Sequence, residues 1–254
     1  MSWFAALLVA ALAVVLAFLI LPVVAIFLDV GPAQLVSSLD DPSATDALRL
    51  SLQTSLTAIV LIVAVGTPAA WLLATRSFRG RELLVTLVEL PLVLPPAVAG
   101  IGLLAALGPR GLLAPLGVSV ALSTAAVVIA LTFVSAPFYV RQAQAAFGAV
   151  DRSWLDASRT LGAGEARTLA RVAIPAALPG LAAGLALAWG RALGEFGATL
   201  MFAGSFRGVT QTVPLAIYER FATDFTGALG LSAVLVCVSA ALLLGVKLAF
   251  RAAR

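Results

Sequence analysis

The chain has 254 residues, of which 62% are hydrophobic and 11% charged, with a formal net charge of +4 and no histidine. A soluble domain is about 45–50% apolar and about 25% charged, so this much apolar surface cannot be hidden from water and the bilayer is its natural solvent. The lack of histidine excludes the usual zinc sites, Ser–His and Cys–His catalytic pairs and histidine proton relays, the single Cys237 excludes an internal disulfide, and so small a net charge gives no support for a nucleic-acid partner.

At roughly 25 residues per span plus loops, the chain predicts an all-α, polytopic membrane protein of about six transmembrane helices. It reads as a single transmembrane domain over residues 1–254. The apolar stretches are Trp3–Leu28, Ala47–Ala74, Leu83–Leu107, Val118–Val140, Leu178–Ala203 and Thr226–Phe250. The first has no charged side chain in Met1–Phe4 and is too long for a signal peptide, so it is expected to be retained. An acidic loop with Asp29, Asp40, Asp41 and Asp46 follows it. The third stretch holds Pro91, Pro95, Pro96, Gly100 and Gly102. Breakers at membrane depth require neighbours or water to satisfy the freed backbone. The pattern fits either a kinked helix in a bundle or a segment lining a path. Glu89 is expected to meet Arg76, Arg79 or Arg81 at the interface. In the fourth stretch, which carries Thr132 and Ser135, Pro137 is expected to break the helix.

The loop at 141–177 is long and polar. Asp151 can cap a helix with Trp154, Leu155 and Leu161 on one side and Arg152, Asp156 and Arg159 toward the other. Gly162 and Gly164 end it, a short helix over Glu165–Val172 follows, and Pro175 and Pro179 start the fifth span. Such an amphipathic helix either rests on lipid headgroups or docks into a groove of a soluble partner.

Within the fifth stretch Arg191 and Glu195 lie four apart on one helix face and can pair. The pair is either a structural bridge between helices or the border of a translocation path, with Thr199 one turn further along. Gly194, Gly197 and Gly204 permit close helix approach. With the N-terminus inside, the inner segments hold 11 Lys and Arg and the outer loops hold 4, with Arg191 left within a span. The positive-inside rule then places both termini in the cytoplasm.

Asp156-Ala157-Ser158, three residues, Gly162, nine residues and Val172-Ala173-Ile174-Pro175 resemble the cytoplasmic signature of ABC importer permeases. That signature is Glu-Ala-Ala, three residues, Gly, nine residues, Ile-x-Leu-Pro. Asp replaces Glu, Ser the second Ala, Val the Ile, and Ile the Leu. The resemblance implies the ABC importer permease fold and a coupling helix seated in a cytoplasmic ATPase. Ala192–Gly204, Thr210–Tyr218 and Glu89–Leu104 are similar to the molybdate-type oxyanion permeases, with tungstate and sulfate permeases carrying similar segments.

The resemblance implies a plasma-membrane assembly of two copies of this chain, an ABC ATPase dimer and an extracytoplasmic oxyanion-binding protein. The chain has no Gly-x-x-x-x-Gly-Lys-Ser/Thr loop, so it is expected to bind no cofactor, with ATP and magnesium on the partner. A tetrahedral dianion requires hydrogen-bond donors, for which Thr132, Ser135 and Thr199 are candidates. The competing classes are an ion-coupled secondary transporter, which leaves the Gly162–Pro175 spacing unexplained, and an intramembrane enzyme, for which there is no nucleophile motif or metal-ligand cluster.

Overall fold

The computed structural model describes residues 2–31, 38 and 40–252, the last two as backbone. Met1, part of the acidic loop (32–37 and 39) and residues 253–254 lie outside the described residues, so Arg254 of the charge count does too. Among the described residues the secondary structure is entirely helical.

The first helix, α1 (Trp3–Asp29), is apolar on all sides. None of its residues is buried by the rest of the chain, and it packs against the last helix, α11 (Phe225–Ala252). Helix α2 (Pro42–Thr75) starts where the Asp41 carboxylate accepts the Ser43 amide at 2.8 Å, with Pro42 at the first helical position. Its buried face is built of small residues, among them Ala47, Ser51, Ser55, Ala58, Gly66 and Ala70. That face lets α5 (Thr124–Gly148) pack closely. A Cβ on Gly66 would come within 3.1 Å of the Tyr139 ring, and Thr67 Oγ1 lies 2.7 Å from Tyr139 Oη. Helix α5 is the central element, packed between α2 and α8 (Ile174–Leu193). Trp189 Nε1 donates to Ser55 Oγ at 3.2 Å and ties α8 to α2.

The third apolar stretch is two helices, α3 (Arg81–Val93) and α4 (Pro96–Leu107), bent by 114°. Neither Pro95 nor Pro96 has an amide to donate, and Leu94, preceding a proline, takes an extended ψ of 130°. The fourth stretch starts later than its apolar run, at Thr124, because the Ser123 side chain caps the Ala126 amide at 3.2 Å. It continues to Gly148, so 141–148 belong to α5 and not to the loop. Pro137 does not break it, since a helix buried among neighbours tolerates a proline.

The short helix α6 (Arg152–Thr160) follows, then α7 (Glu165–Thr168). From α7 the chain widens into a π turn over Leu169–Ala173 and continues without interruption into α8. Ile174 N–H bonds back to Leu169 O, immediately before Pro175, which has no N–H to give. The expected helix over Glu165–Val172 is therefore the first part of the fifth span, and Pro175 and Pro179 do not start that span. The span ends at Leu193. Residues 194–196 are not helical, and the short helix α9 (Gly197–Ala203) follows them. After turns with positive φ at Gly204 and Gly208, α10 (Val213–Phe221) packs on α2 and α11.

Helices α1, α2, α5, α11 and the continuous Glu165–Leu193 rod are long and apolar enough to cross a membrane, and the bent α3–α4 pair makes a sixth span. Helices α4 and α9 pack backbone to backbone, since a Cβ on Gly100 would lie 2.6 Å from Ala198 O. Gly100→Val is therefore expected to lower thermal stability in detergent by about 1–3 kcal/mol, measured as a fall in the melting midpoint. Gly102→Ala, at a position with open space around it, is expected to leave the midpoint unchanged.

Candidate functional site

Two groups of residues carry candidate function: a helix projecting from one end of the bundle, and the interior around the two breaks. At the projecting end, Asp151 Oδ1 accepts the Ser153 amide at 2.9 Å and starts α6. That backbone hydrogen bond holds the Asp151 carboxyl below the ordinary aspartate range. Leu155 is buried in one apolar cluster with Trp71, Val85, Phe147 and Val150. Trp71 and Phe147 meet edge to face at 5.4 Å. Trp154 and Leu161 do not share that burial. They are 58% and 88% exposed, so α6 is anchored by one leucine and presents two large apolar side chains outward.

Polar contacts tie α6 sideways. Asp156 pairs with Arg159 at 3.1 Å, Arg159 with Glu165 at 3.3 Å, and Glu165 with Arg76 at 3.2 Å. These exposed pairs contribute little stability individually, but they link α6, α7 and the segment after α2. Ser158 Oγ sits 3.0 Å from Thr168 Oγ1. Ala157 lies in the middle of α6, its carbonyl accepting the Leu161 amide at 3.1 Å. Gly162 has φ +81° and nothing within 4 Å of a Cβ, so glycine is required there by conformation and not by space. Val172 and Ile174 pack against the cluster that anchors Leu155, and Pro175 follows them in the first turn of α8. A cleft of ≈ 730 Å³ lies between α6 and residues 74–82, with Arg76, Arg81, Arg152 and Asp156 among its lining.

In the interior, Arg191 and Glu195 pair at 2.5 Å, and Glu195 is 1% exposed. They do not share one helix face, because α8 ends at Leu193 and Glu195 lies in the break. Its second oxygen, Oε1, accepts the Ala198 amide at 2.7 Å. Thr199 sits on the separate helix α9, not one turn further on the same helix. Among the described residues the buried hydroxyls of Ser135, Thr199 and Thr212 have no hydrogen-bond partner. Thr132 instead donates to Val128 O at 2.7 Å.

Of the glycines, Gly197 is in close contact, with Pro96 Cβ 2.9 Å from its would-be Cβ, while Gly194 has only Gly190 O at 3.7 Å. Glu89 pairs with Arg141 on α5 at 2.7 Å, and not with the arginines after α2. The reason is geometric: α3 packs along α5. At the end opposite α6, Arg220 binds both Asp41 and Ser43, and Glu219 holds Gln211 and Arg207.

Sequence reasoning passed over Thr212 and Gln211, both buried. The available signal was a Thr-Gln-Thr triplet immediately before Val213-Pro214, polar residues just ahead of a proline suited to a first helical turn. Chemically the interior offers free hydroxyl donors, a carboxylate with both oxygens engaged, and, among the described residues, no group of side chains that could hold a metal. Such a set can meet a polar solute with hydrogen-bond donors.

A polytopic helical bundle with one sharply bent span, buried unpaired hydroxyls and a projecting end helix has the architecture expected of the membrane-spanning subunit of a transporter. The chain belongs to the binding-protein-dependent transport system inner membrane components, whose family profile matches residues 66–253. It is 44% identical over 233 residues to the molybdenum transport system permease protein ModB of Mycobacterium bovis, covering 90% of this chain and 88% of that one. It is 34% identical over 188 residues to the molybdate/tungstate transport system permease protein WtpB of Pyrococcus abyssi, covering 73% and 72%. A solved bacterial ABC transporter that imports alginate has the same fold, with a TM-score of 0.77 at 16% identity and coverage of 98% of this chain and 94% of that one.

The Asp151 cap gives a pH prediction. A carboxyl whose folded pKa is depressed stabilises the fold above its unfolded value of about 3.9, and the contribution is lost as pH falls through the folded pKa. Protection of the Ser153 and Trp154 amides from hydrogen exchange should hold at neutral pH and fall in the acid range below about pH 4. Asp151→Asn, a comparable cap, should keep the protection and abolish that pH dependence.

Proposed function

We propose that this chain is the permease subunit of an ATP-driven molybdate importer, providing the ion's path and coupling it to a separate cytoplasmic ATPase. The observation that carries the reading is α6 itself. It is a capped helix anchored by Leu155, ended by a left-handed Gly162, and presenting Trp154 and Leu161 to a partner. A helix resting on headgroups needs no such ion-paired fastening on its flank, whereas a docking element must transmit force through it. The 11-to-4 bias of positive charge supports a cytoplasmic position for the α6 end and both termini.

In this reading two copies of the chain join an ATPase dimer, which holds ATP and magnesium. A binding protein delivers the oxyanion to the opposite end, around Asp40–Asp46 and Phe206–Asp224. The tight site resides on the binding protein, and Ser135, Thr199 and Thr212 offer weak, transient hydrogen bonds, as an ion that enters must also leave. Closure of the ATPase moves α6, the bundle alternates between outward and inward access, and hydrolysis resets it.

The ion rests on likeness to the molybdenum permease. The Pyrococcus abyssi relative, whose name includes tungstate, makes a tungstate importer the second reading. The test is ATPase activity of the reconstituted complex with its binding protein, titrated with molybdate, tungstate and sulfate. Stimulation by molybdate at the lowest concentration, requiring the binding protein, supports the proposal, while preference for tungstate or sulfate reassigns the ion. Uptake driven by a proton or sodium gradient without ATPase overturns it. Gly162→Leu, forced into a left-handed conformation at a cost of about 1–2 kcal/mol, should assemble and insert yet import at least about tenfold less per ATP.

A further inference from the structure

The bend of the third span meets the start of α9, the short helix that follows the fifth span. Pro96, the first residue of α4, lies against Gly197, the first residue of α9, and the Ala198 carbonyl and Met201 Cβ lie 2.6 and 2.7 Å from a would-be Cβ on Gly100. Two helices in backbone contact over successive turns move as one piece, because packed interiors shift between discrete arrangements and do not deform continuously. The α4–α9 pair is joined along the chain to what precedes it at two places, Leu94–Pro95 and residues 194–196, and its apolar face, with Ala99, Ala198 and Phe202, packs on Val127, Ala130 and Leu131 of α5. The halves before those places have other anchors. Helix α3 is fastened to α5 by Glu89–Arg141 at 2.7 Å, and α8 to α2 by Trp189–Ser55 at 3.2 Å.

Glu195 spans the second joint. One carboxylate oxygen pairs with Arg191 in the last turn of α8, at 2.5 Å, and the other accepts the Ala198 amide in the first turn of α9, at 2.7 Å. The side chain is fully buried, and both oxygens are occupied within the protein. A dianion would be repelled by it, so Glu195 acts on the helices and not on the ion. The other end of the same rod carries the docking helix. Residues Glu165–Leu193 run continuously for 29 residues, about 43 Å at 1.5 Å per residue, and α6 is fastened to the start of that rod by Ser158–Thr168 and Arg159–Glu165.

We infer that Glu195 is a positioning residue for transport: it transmits movement of the α6 end, carried by the α7–α8 rod, across the break into the α4–α9 pair. This rests on the transport reading above and adds to it the element that moves and the residue that drives it. The charge of the bridge matters as much as its geometry, because removing one partner leaves the other charge buried and uncompensated.

The test uses the full complex of permease, ATPase and binding protein in proteoliposomes, with molybdate ions imported per ATP hydrolysed as the readout. Glu195→Gln keeps an acceptor for the Ala198 amide and is expected to retain more import per ATP than Glu195→Ala, which breaks both contacts and should lower the ratio about tenfold. Arg191→Met leaves a buried carboxylate unpaired and should lower the ratio, and adding Glu195→Gln to it should restore a large part. A merely structural pair would change the amount of assembled complex and leave the ratio of the assembled fraction alone. The inference is overturned if the Ala variant imports at the native ratio, or if the double variant is no better than Arg191→Met. Should the Ala variant fail to assemble, the Arg191→Met and double-variant comparison decides. If the native complex shows no oxyanion-stimulated ATPase, the transport reading fails, an outcome distinct from any difference between variants.

Discussion

In a bilayer no water is available to a backbone group that a break in a helix sets free, so irregular backbone at membrane depth survives only where protein surrounds it. This chain bends its third span at Leu94–Pro95 and interrupts its helices again at residues 194–196, just after the fifth span, and protein packs against both places. Glu195 caps the helix after one break, and Pro96 and Gly197 bring the two breaks together. Glycine at 100 and 197 is needed because anything larger would separate α4 from α9. The central α5 is in turn bounded by small residues on α2, such as Gly66, which lets the Tyr139 ring reach Thr67.

The projecting end is governed by a different balance. Helix α6 has nine residues and could not hold its shape alone. Its start is fixed by the Asp151 cap, its middle by burial of Leu155, and its end by the left-handed Gly162. The ion pairs around Glu165 are exposed and individually weak, yet they join α6 to α7 and to the segment after α2. The outcome is a small element held at its start, middle and end that leaves the apolar side chains of Trp154 and Leu161 exposed. Its fastening to the continuous 29-residue rod gives a mechanical route from that surface to the interior.

Much of this was legible in the residues. The Asp151 cap, the ending of α6 near Gly162 and the Arg191–Glu195 pair follow from local rules that depend on neighbours within four residues. The misjudged features are those in which distant neighbours decide. Pro137 reads as a breaker and lies within an unbroken helix, whereas Pro95-Pro96 reads as a kink and bends the chain by 114°. Glu89 found Arg141 across a helix interface and not the arginines nearer in sequence.

The sequence by itself determined that this chain lives in a membrane, about how many times it crosses, and which loop carries a short capped amphipathic helix, because hydropathy, charge bias and capping are properties of contiguous residues. Only the tertiary structure decided that Glu195 lies between two helices and bridges them, that the bend of the third span packs against the start of the helix after the fifth, and that the hydroxyls of Ser135, Thr199 and Thr212 are left without partners. Those facts depend on which surfaces meet across tens or hundreds of residues of sequence, and packing alone selects among the arrangements that local preferences allow.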